Sequence, residues 1–247
     1  MLPRFLPLGD SALTVEFGDR IDQALLASVA ALDDRLIRDK EAGRLPGIIE
    51  TIPTYRSLTV IFDPRLLSWN ALQSRIMALL NESTDRESRP TNVWKLPVCY
   101  DTGYGMDLEH VASSKGLTPA KVIELHVSLT YTVYMIGFLP GFPYMGDVVP
   151  GLDIPRLLVP RTRVPAGSVA ITGQQTVIYP WESPGGWNIL GRCPLPLFDA
   201  HRLHPAQLGP GDRVTFEVIS GDRYEELASA ARKYPFDFER FRMRASL

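Results

Sequence analysis

The first part of the chain alternates between strand and helix patterns. Residues 12–17 alternate apolar and polar side chains, which is typical of a half-buried strand, and residues 21–36 place apolar side chains at helical spacing. Two apolar runs at 47–53 and 57–63 predict further strands, and residues 63–80 predict a second helix. The pattern therefore indicates a compact β-α-β-β-α unit of the α+β class.

A polar segment follows this unit. Residues 81–92 contain no large apolar side chain, so they can bury little surface, and we interpret them as a linker. The predicted domains are an N-terminal α+β domain at 1–85 and a second domain at 93–247.

Beyond the linker, the pattern changes from helices to short strands. Residues 94–100 predict a strand and 107–112 a short helix, and Thr118 before Pro119 is typical of an N-cap followed by the first helical position. From residue 131 the apolar period is two, and about ninety residues pass before the next predicted helix. Many short strands and turns predict an all-β body, most simply a small closed barrel.

The stretch 134–199 has an unusual composition. It holds ten of the 21 prolines and nine of the 19 glycines, interleaved with aromatic side chains. Proline restricts φ and glycine permits positive φ, so this mixture predicts turns and short strands that follow one defined path.

Composition and charge exclude several classes of partner. The 247 residues are 45% hydrophobic, with a net charge of −2 and a pI of about 6.1, so electrostatics favour neither nucleic acid nor an anionic membrane. Pro3, Pro7 and Asp10 interrupt any signal-peptide core, and no apolar run reaches the roughly 20 residues of a membrane span. We expect a cytoplasmic protein whose partner is a small molecule or another protein.

The chain lacks the common motifs for metals and nucleotides. Cys99 and Cys193 lie far apart, without CxxC or zinc-type spacing, so we expect two reduced thiols and no metal-ligand set. Neither GxxxxGK[ST] nor GxGxxG occurs, and no serine lies in GxSxG. A nucleotide would therefore have to bind by another arrangement or on another protein of an assembly.

Two arginines form the first candidate site. Arg161 and Arg163 would share one face of a strand, where their guanidinium groups could clamp a carboxylate, a phosphate or an oxyanion. The alternative is a solvated strand edge, with ion pairs to Asp147, Asp153 or Glu182.

Two neighbouring segments offer further surfaces for a ligand. The Ser-Pro-Gly-Gly sequence at 183–186, flanked by Trp181 and Trp187, predicts a type II turn that could present backbone N–H groups to an anion, or else a loop packed by tryptophans. The aromatic segment 137–144 predicts a wall for a small ligand or a partner, or else a hydrophobic corner.

His126 falls near the C-terminal end of the helix that Thr118 opens. Such a histidine could serve as an acid, a base or a ligand, and the alternative is a structural hydrogen bond.

Three long motifs carry a family resemblance: HVSLTYTVYMIGFLPGFPYMGD, PRTRVPAGSVAITG and YPWESPGGWNILGRCPLPLFD. They resemble the family of the 5-oxoprolinase B component, also known as the Kip-type (KipI) kinase inhibitor or allophanate hydrolase subunit 1 family. The likeness extends to GDSALTVEFGD and TIPTYRSLTVIFDP near the N-terminus and thus covers most of the chain.

The resemblance implies a cyclophilin-like β-barrel domain after the small α+β domain. It also implies an enzyme subunit, inactive alone, that acts with a related barrel protein (the C component, KipA-type) and a lactam-utilisation protein (the A component). Together they would open 5-oxoproline to glutamate with ATP, which a partner could bind. Phosphorylation of the lactam oxygen would activate the amide, so anion-binding groups are expected.

Position within the motifs implies the site residues. Catalytic roles are implied for His126, Arg161 and Arg163, without an assignment of the acid or base. The implied substrate-binding set is Phe142, Tyr144, Gln175, Thr176, Tyr179, Ser183, Gly185, Gly186 and Arg192.

Two other functions remain open at this point. A Kip-type inhibitor would dock on a sensor histidine kinase through exposed aromatic and proline side chains. A subunit of an allophanate hydrolase or carboxyltransferase assembly would take urea-derived or biotin-linked substrates instead.

Overall fold

The chain forms two compact units, Met1–Thr91 and Asn92–Leu247. The computed structural model describes residues 3–82, 91–233 and 235–243. Most of the predicted linker at 81–92 lies outside the described residues, so the domain boundaries drawn from it stay predictions.

The first unit is a four-stranded antiparallel sheet, in the order β1-β2-β4-β3, with two helices. The side chains of Asp22 and Ser68 cap the helices by accepting the backbone N–H groups of Ala24 and Ala71. The predicted α+β unit is confirmed. Its elements are β1 Arg4–Pro7, β2 Ala12–Glu16, α1 Gln23–Glu41, β3 Ile48–Pro53, β4 Ser57–Phe62 and α2 Trp69–Asn81.

Two features of this unit differ from the prediction. Strand β1 was not predicted, because it spans only four residues, ends in proline and lies at the sheet edge. Helix α2 begins at Trp69 and not at residue 63, because the carboxylate of Asp63 accepts the backbone N–H of Arg65 in a turn and Ser68 supplies the N-cap.

The second unit is built on an eight-stranded sheet in the order β12-β9-β10-β7-β6-β13-β5-β14. Strand β12 also pairs with β5, which closes seven of the strands into a barrel and confirms the predicted β-barrel. The elements are β5 Val93–Cys99, α3 Leu108–Lys115, α4 Pro119–Val127, β6 Tyr131–Ile136, β7 Pro143–Gly146, β8 Arg161–Val164, β9 Ser168–Thr172, β10 Gln175–Ile178, β11 Ser183–Gly185, β12 Asn188–Arg192, β13 Arg213–Ile219, α5 Gly221–Ala231 and β14 Arg242–Met243.

Alternation along the strands gives this unit two separate cores. On β10, Thr176 and Ile178 face the barrel interior, whereas Val177 and the following Tyr179 face outward. The inward residues join the main core, and the outward residues join a smaller cluster on the outside of the barrel wall.

A two-stranded sheet, β8 with β11, contributes to this outer cluster through Val164. The type II turn predicted at 183–186 is wrong, because Ser183 pairs with Val164 and Gly185 pairs with Arg161 in this sheet. Cross-strand pairing satisfies backbone groups that a turn would have left available to an anion. Gly186 follows β11, and its carbonyl accepts the N–H of Leu157 at 2.8 Å.

Barrel closure requires a close approach at Gly191. A Cβ atom at this position would lie 2.6 Å from the carbonyl oxygen of Cys99 and 2.9 Å from a methyl group of Val98. Both contacts are shorter than van der Waals separation, so only glycine lets β12 reach β5 at this spacing.

We predict that Gly191→Ala lowers the free energy of unfolding of the second unit by about 2 kcal/mol, because the added methyl group must push β12 away from β5. Gly209→Ala is the control, since a Cβ atom there meets nothing within 4 Å. Urea denaturation followed by tryptophan fluorescence measures both. Equal midpoints for the two variants would contradict this account of closure.

Candidate functional site

Four aromatic side chains form the centre of the outer cluster: Phe142, Tyr144, Tyr179 and Trp187. The ring centroid of Phe142 lies 5.0 Å from that of Tyr144 and 5.0 Å from that of Tyr179, and Tyr144 lies 6.0 Å from Trp187. Barrel strands β7, β10 and β12 carry or adjoin these residues, so the cluster rests on a rigid wall.

Both tyrosine hydroxyls of the cluster are held in the neutral form. Burial raises the pKa of Tyr179 to about 12, and the nearby Tyr144 adds to this rise while Arg156 opposes it. Burial also raises the pKa of Tyr144, again against Arg156. Gly185 leaves room for the Tyr179 hydroxyl, which a side chain there would strike. At neutral pH both groups can donate a hydrogen bond.

Arg156 brings an uncompensated positive charge to the cluster. Its guanidinium carbon lies 5.6 Å from the ring centroid of Trp187, a cation–π contact, and the side chain is exposed. No carboxylate of the described residues forms an ion pair with Arg156.

The two arginines predicted as a clamp have separate carboxylate partners. Arg161 donates to Asp107, and the side chains of this pair are 28% and 7% exposed. Arg163 pairs with Glu182, one of the acidic partners considered from the sequence, and their side chains are 77% and 51% exposed. Solvent screens the second pair, so only Arg161 is held firmly near the cluster.

Two buried polar atoms beside the cluster lack a hydrogen-bond partner within the described part of the chain. They are Nη1 of Arg161 and Oγ of Ser183, and the strands that carry these residues pair with each other. A buried donor without an acceptor costs free energy, so a site that supplies an acceptor on binding recovers that cost.

The neutral phenols, the exposed guanidinium of Arg156 and the Nη1–H of Arg161, which has no acceptor among the described residues, together suit an anionic ligand. No carboxylate of the described residues competes at Arg156, and charge-assisted hydrogen bonds from arginine to carboxylate or phosphate are among the strongest in proteins.

His126 and Thr176 lie inside the barrel and not in this cluster. Nδ1 of His126 lies 2.8 Å from the Tyr100 hydroxyl and Nε2 lies 3.1 Å from Thr176 Oγ1, while the imidazole stacks on Phe216. Thr176 Oγ1 donates to the carbonyl of Ala170, so it accepts from Nε2–H and Tyr100 donates to Nδ1.

Burial controls the protonation of His126. The side chain is 0% exposed, and burial lowers its pKa from the ordinary 6.5 to about 3. The imidazole is therefore neutral at physiological pH, and β10 separates it from Tyr179. Its catalytic role stays a prediction, and this geometry favours a structural one.

The other predicted residues lie in different surroundings. Arg192 stacks over Tyr104, with 5.8 Å from its guanidinium carbon to the ring centroid, and hydrogen bonds to Tyr224. Gln175 begins β10, half-buried and paired with Gly146 on β7. The structure thus brings together Phe142, Tyr144, Tyr179, Arg161 and Gly185 and leaves Arg192 and Gln175 outside the cluster's described contacts.

Arg156, Trp187 and Asp107 belong to the site although none was predicted as a site residue. No role was predicted for Arg156, and Trp187 was predicted only as a flank of a turn, because their contact requires two chain segments to fold together. Asp107 marks the start of a predicted helix, and no local pattern connects it to Arg161, 54 residues away.

Several other features of the described residues provide no further candidate site. Among the described residues no group of three or more His, Cys, Asp or Glu side chains could hold a metal ion, and no helix there has the length and apolarity needed to cross a membrane. Cys99 and Cys193 are free and buried. A cavity of about 200 Å³ contains Arg202, but that side chain already donates to Asp199, Gln207 and the carbonyl of Phe236.

The chain belongs to the family described as "Carboxyltransferase domain, subdomain C and D", which matches residues 3–208. A curated relative, the B component of the 5-oxoprolinase of Bacillus subtilis, is 37% identical over 227 residues, 88% of this chain and 93% of the relative. The family resemblance drawn from the three motifs is therefore confirmed.

Solved structures agree with the fold. The crystal structure of TTHA0988 has a TM-score of 0.75 and 40% identity, and the match covers 85% of this chain but only 40% of that longer chain. The urea carboxylase of Kluyveromyces lactis has a TM-score of 0.73 at 22% identity over 93% of this chain and 23% of its own, a likeness of fold alone.

We predict that His126 keeps a neutral ring between about pH 8 and about pH 5, because its folded pKa lies far below the ordinary value. As pH falls from 6.5 toward 3, the unfolded state takes up a proton that the folded state excludes, so His126 contributes a loss of stability. The slope of this loss is about 1.4 kcal/mol per pH unit.

The imidazole Cε1–H resonance in NMR spectra measures this titration, and His126→Gln assigns the peak. A titration midpoint near the ordinary histidine pKa would contradict the burial of His126 and would favour an acid–base role for it.

Proposed function

We propose that this chain is the B component of an ATP-dependent 5-oxoprolinase, which hydrolyses 5-oxoproline to glutamate together with partner proteins. The observation that carries the proposal is the similarity to relatives that are named as this component. Identity is 37% to the protein of Bacillus subtilis and 38% to that of Escherichia coli O157:H7, over 88% and 85% of this chain.

The side chains of the outer cluster are suited to binding an anionic substrate. 5-Oxoproline carries a carboxylate, and its lactam oxygen gains negative charge as the ring opens, so donors at Arg156, Arg161, Tyr144 and Tyr179 fit both groups. ATP would supply the driving force by phosphorylating the lactam oxygen, and the same donors suit phosphoryl oxygens. Transfer of the phosphoryl group would release ADP, water would add to the activated carbon, and the C–N bond would break as the nitrogen takes up a proton, which leaves γ-glutamyl phosphate. A second water would hydrolyse this acyl phosphate to glutamate and inorganic phosphate.

Partner proteins are part of the proposal. The sequence contains neither GxxxxGK[ST] nor GxGxxG, so the proposal has ATP bind by another arrangement on this chain or on a partner. A related barrel protein (the C component) and a lactam-utilisation protein (the A component) are the expected partners. The match to only 40% of the TTHA0988 chain supports a function carried out beside further protein segments.

The family description favours one alternative, a subunit of a carboxyltransferase or allophanate-hydrolysing assembly. That assembly would turn over a urea-derived substrate and leave 5-oxoproline intact. The two functions are separated by which substrate is consumed.

We predict that the purified chain mixed with its two partner proteins, ATP and 5-oxoproline produces glutamate, and that the chain alone produces none. Glutamate is measured by chromatography, with ATP omitted in a parallel sample. No glutamate from intact, folded partners would overturn the proposal, and consumption of allophanate by the same mixture would establish the alternative.

In that assembly, Arg156→Gln should raise KM for 5-oxoproline about tenfold, because the substrate loses a charge-assisted hydrogen bond. The matched control is Arg223→Gln, which removes an exposed arginine paired with Glu226 on α5. Steady-state kinetics measure both variants. An unchanged KM for Arg156→Gln would remove this residue from the site.

A further inference from the structure

We propose that Asp107 is a positioning residue, which fixes the guanidinium of Arg161 so that its unused Nη1–H points to an anionic group of the substrate. The proposal rests on the function proposed above and adds a residue whose contribution acts through Arg161.

Asp107 stands at the N-cap of α3, but its side chain makes no capping hydrogen bond. Aspartate at this position normally accepts from the first turn of its own helix. Here Oδ2 instead accepts the backbone N–H of Ile189 at 2.7 Å, and the backbone N–H of Asp107 donates to the Ile189 carbonyl at 2.9 Å. The first bond ties the carboxylate of Asp107 to barrel strand β12, and the second ties its backbone to the same strand.

The other carboxylate oxygen of Asp107 accepts from Nη2 of Arg161. Asp107 is 5% exposed as a residue, so solvent screens this ion pair little. A guanidinium is planar, so fixing Nη2 also fixes the direction of Nη1. Nη1 is buried and lacks an acceptor among the residues that the structure describes.

The neighbouring pair provides an internal comparison. Arg163 and Glu182 lie on or next to the same two-stranded sheet, but both side chains are exposed, and no described backbone bond ties the Glu182 carboxylate to the barrel. The Asp107–Arg161 pair differs in being largely buried and tied to the barrel, and this difference assigns the positioning function to it.

Asp107 would make the same contacts if its role were only structural. It would affect the stability of the fold, whereas a positioning residue affects substrate affinity in a protein that remains folded. Asp107→Asn separates the two roles, since the amide oxygen can still accept from Ile189 while the charge that orients Arg161 is lost.

In the assembled enzyme we expect Asp107→Asn to raise KM for 5-oxoproline about tenfold and to change kcat less than about threefold. Glu182→Gln is the matched control and should leave KM within about twofold. A wild-type KM for folded Asp107→Asn overturns the proposal, as does an equal effect of Glu182→Gln.

Arg161→Lys tests the same interaction if Asp107→Asn does not fold. Lysine keeps a cation beside the buried carboxylate but has no planar guanidinium group. It should raise KM by a similar factor, and the double variant should be no worse than Arg161→Lys alone, because Asp107 acts through Arg161. Additive effects overturn the proposal.

A labelling experiment tests the positioning without enzyme activity. Phenylglyoxal modifies accessible guanidinium groups, and peptide mass spectrometry reads Arg161 and Arg163 separately. We expect Asp107→Asn to speed labelling of Arg161 at least about fivefold and to leave Arg163 unchanged. An unchanged rate at Arg161 overturns the positioning, while absence of glutamate from the wild-type assembly would count against the proposed function alone.

Discussion

The approach of β12 to β5 is the constraint on which the second unit depends. The pairing of Arg192 with Cys99 closes the sheet, and Gly191 permits the short separation. A closed sheet has an inside and an outside, so period-two alternation along β10 sends Thr176 inward and Tyr179 outward. Closure therefore decides which predicted residues can act together.

The arginines on the outside of the barrel differ in how their charges are balanced. Asp107 balances Arg161 in a largely buried pair, Glu182 balances Arg163 in solvent, and Arg156 has no described carboxylate partner. Burial raises the pKa of Tyr144 and of Tyr179 above the ordinary value of 10, which widens the pH range over which both phenols stay protonated. The cluster thus combines net positive charge with neutral donors, a combination that suits an anion better than a cation.

The inside of the barrel uses polar groups for a different purpose. His126 is fully buried, flanked by Tyr100 and Thr176, and stacked on Phe216. Each ring nitrogen has a partner, so the neutral imidazole is accommodated without an unsatisfied donor. A fully satisfied buried network favours one packing arrangement of α4 in the barrel.

The sequence by itself determined the α+β unit, the barrel class, the capping of α4 by Thr118 and the family, because periodicity, capping and long motifs are local properties. It also located the stretch that contains Tyr144, Tyr179 and Arg161. Only the tertiary structure decided that residues 183–185 form a strand and that His126 lies behind the barrel wall. It alone joined Asp107 to Arg161 and Arg156 to Trp187. These outcomes depend on barrel closure and on pairing between distant strands, and no local pattern encodes such contacts.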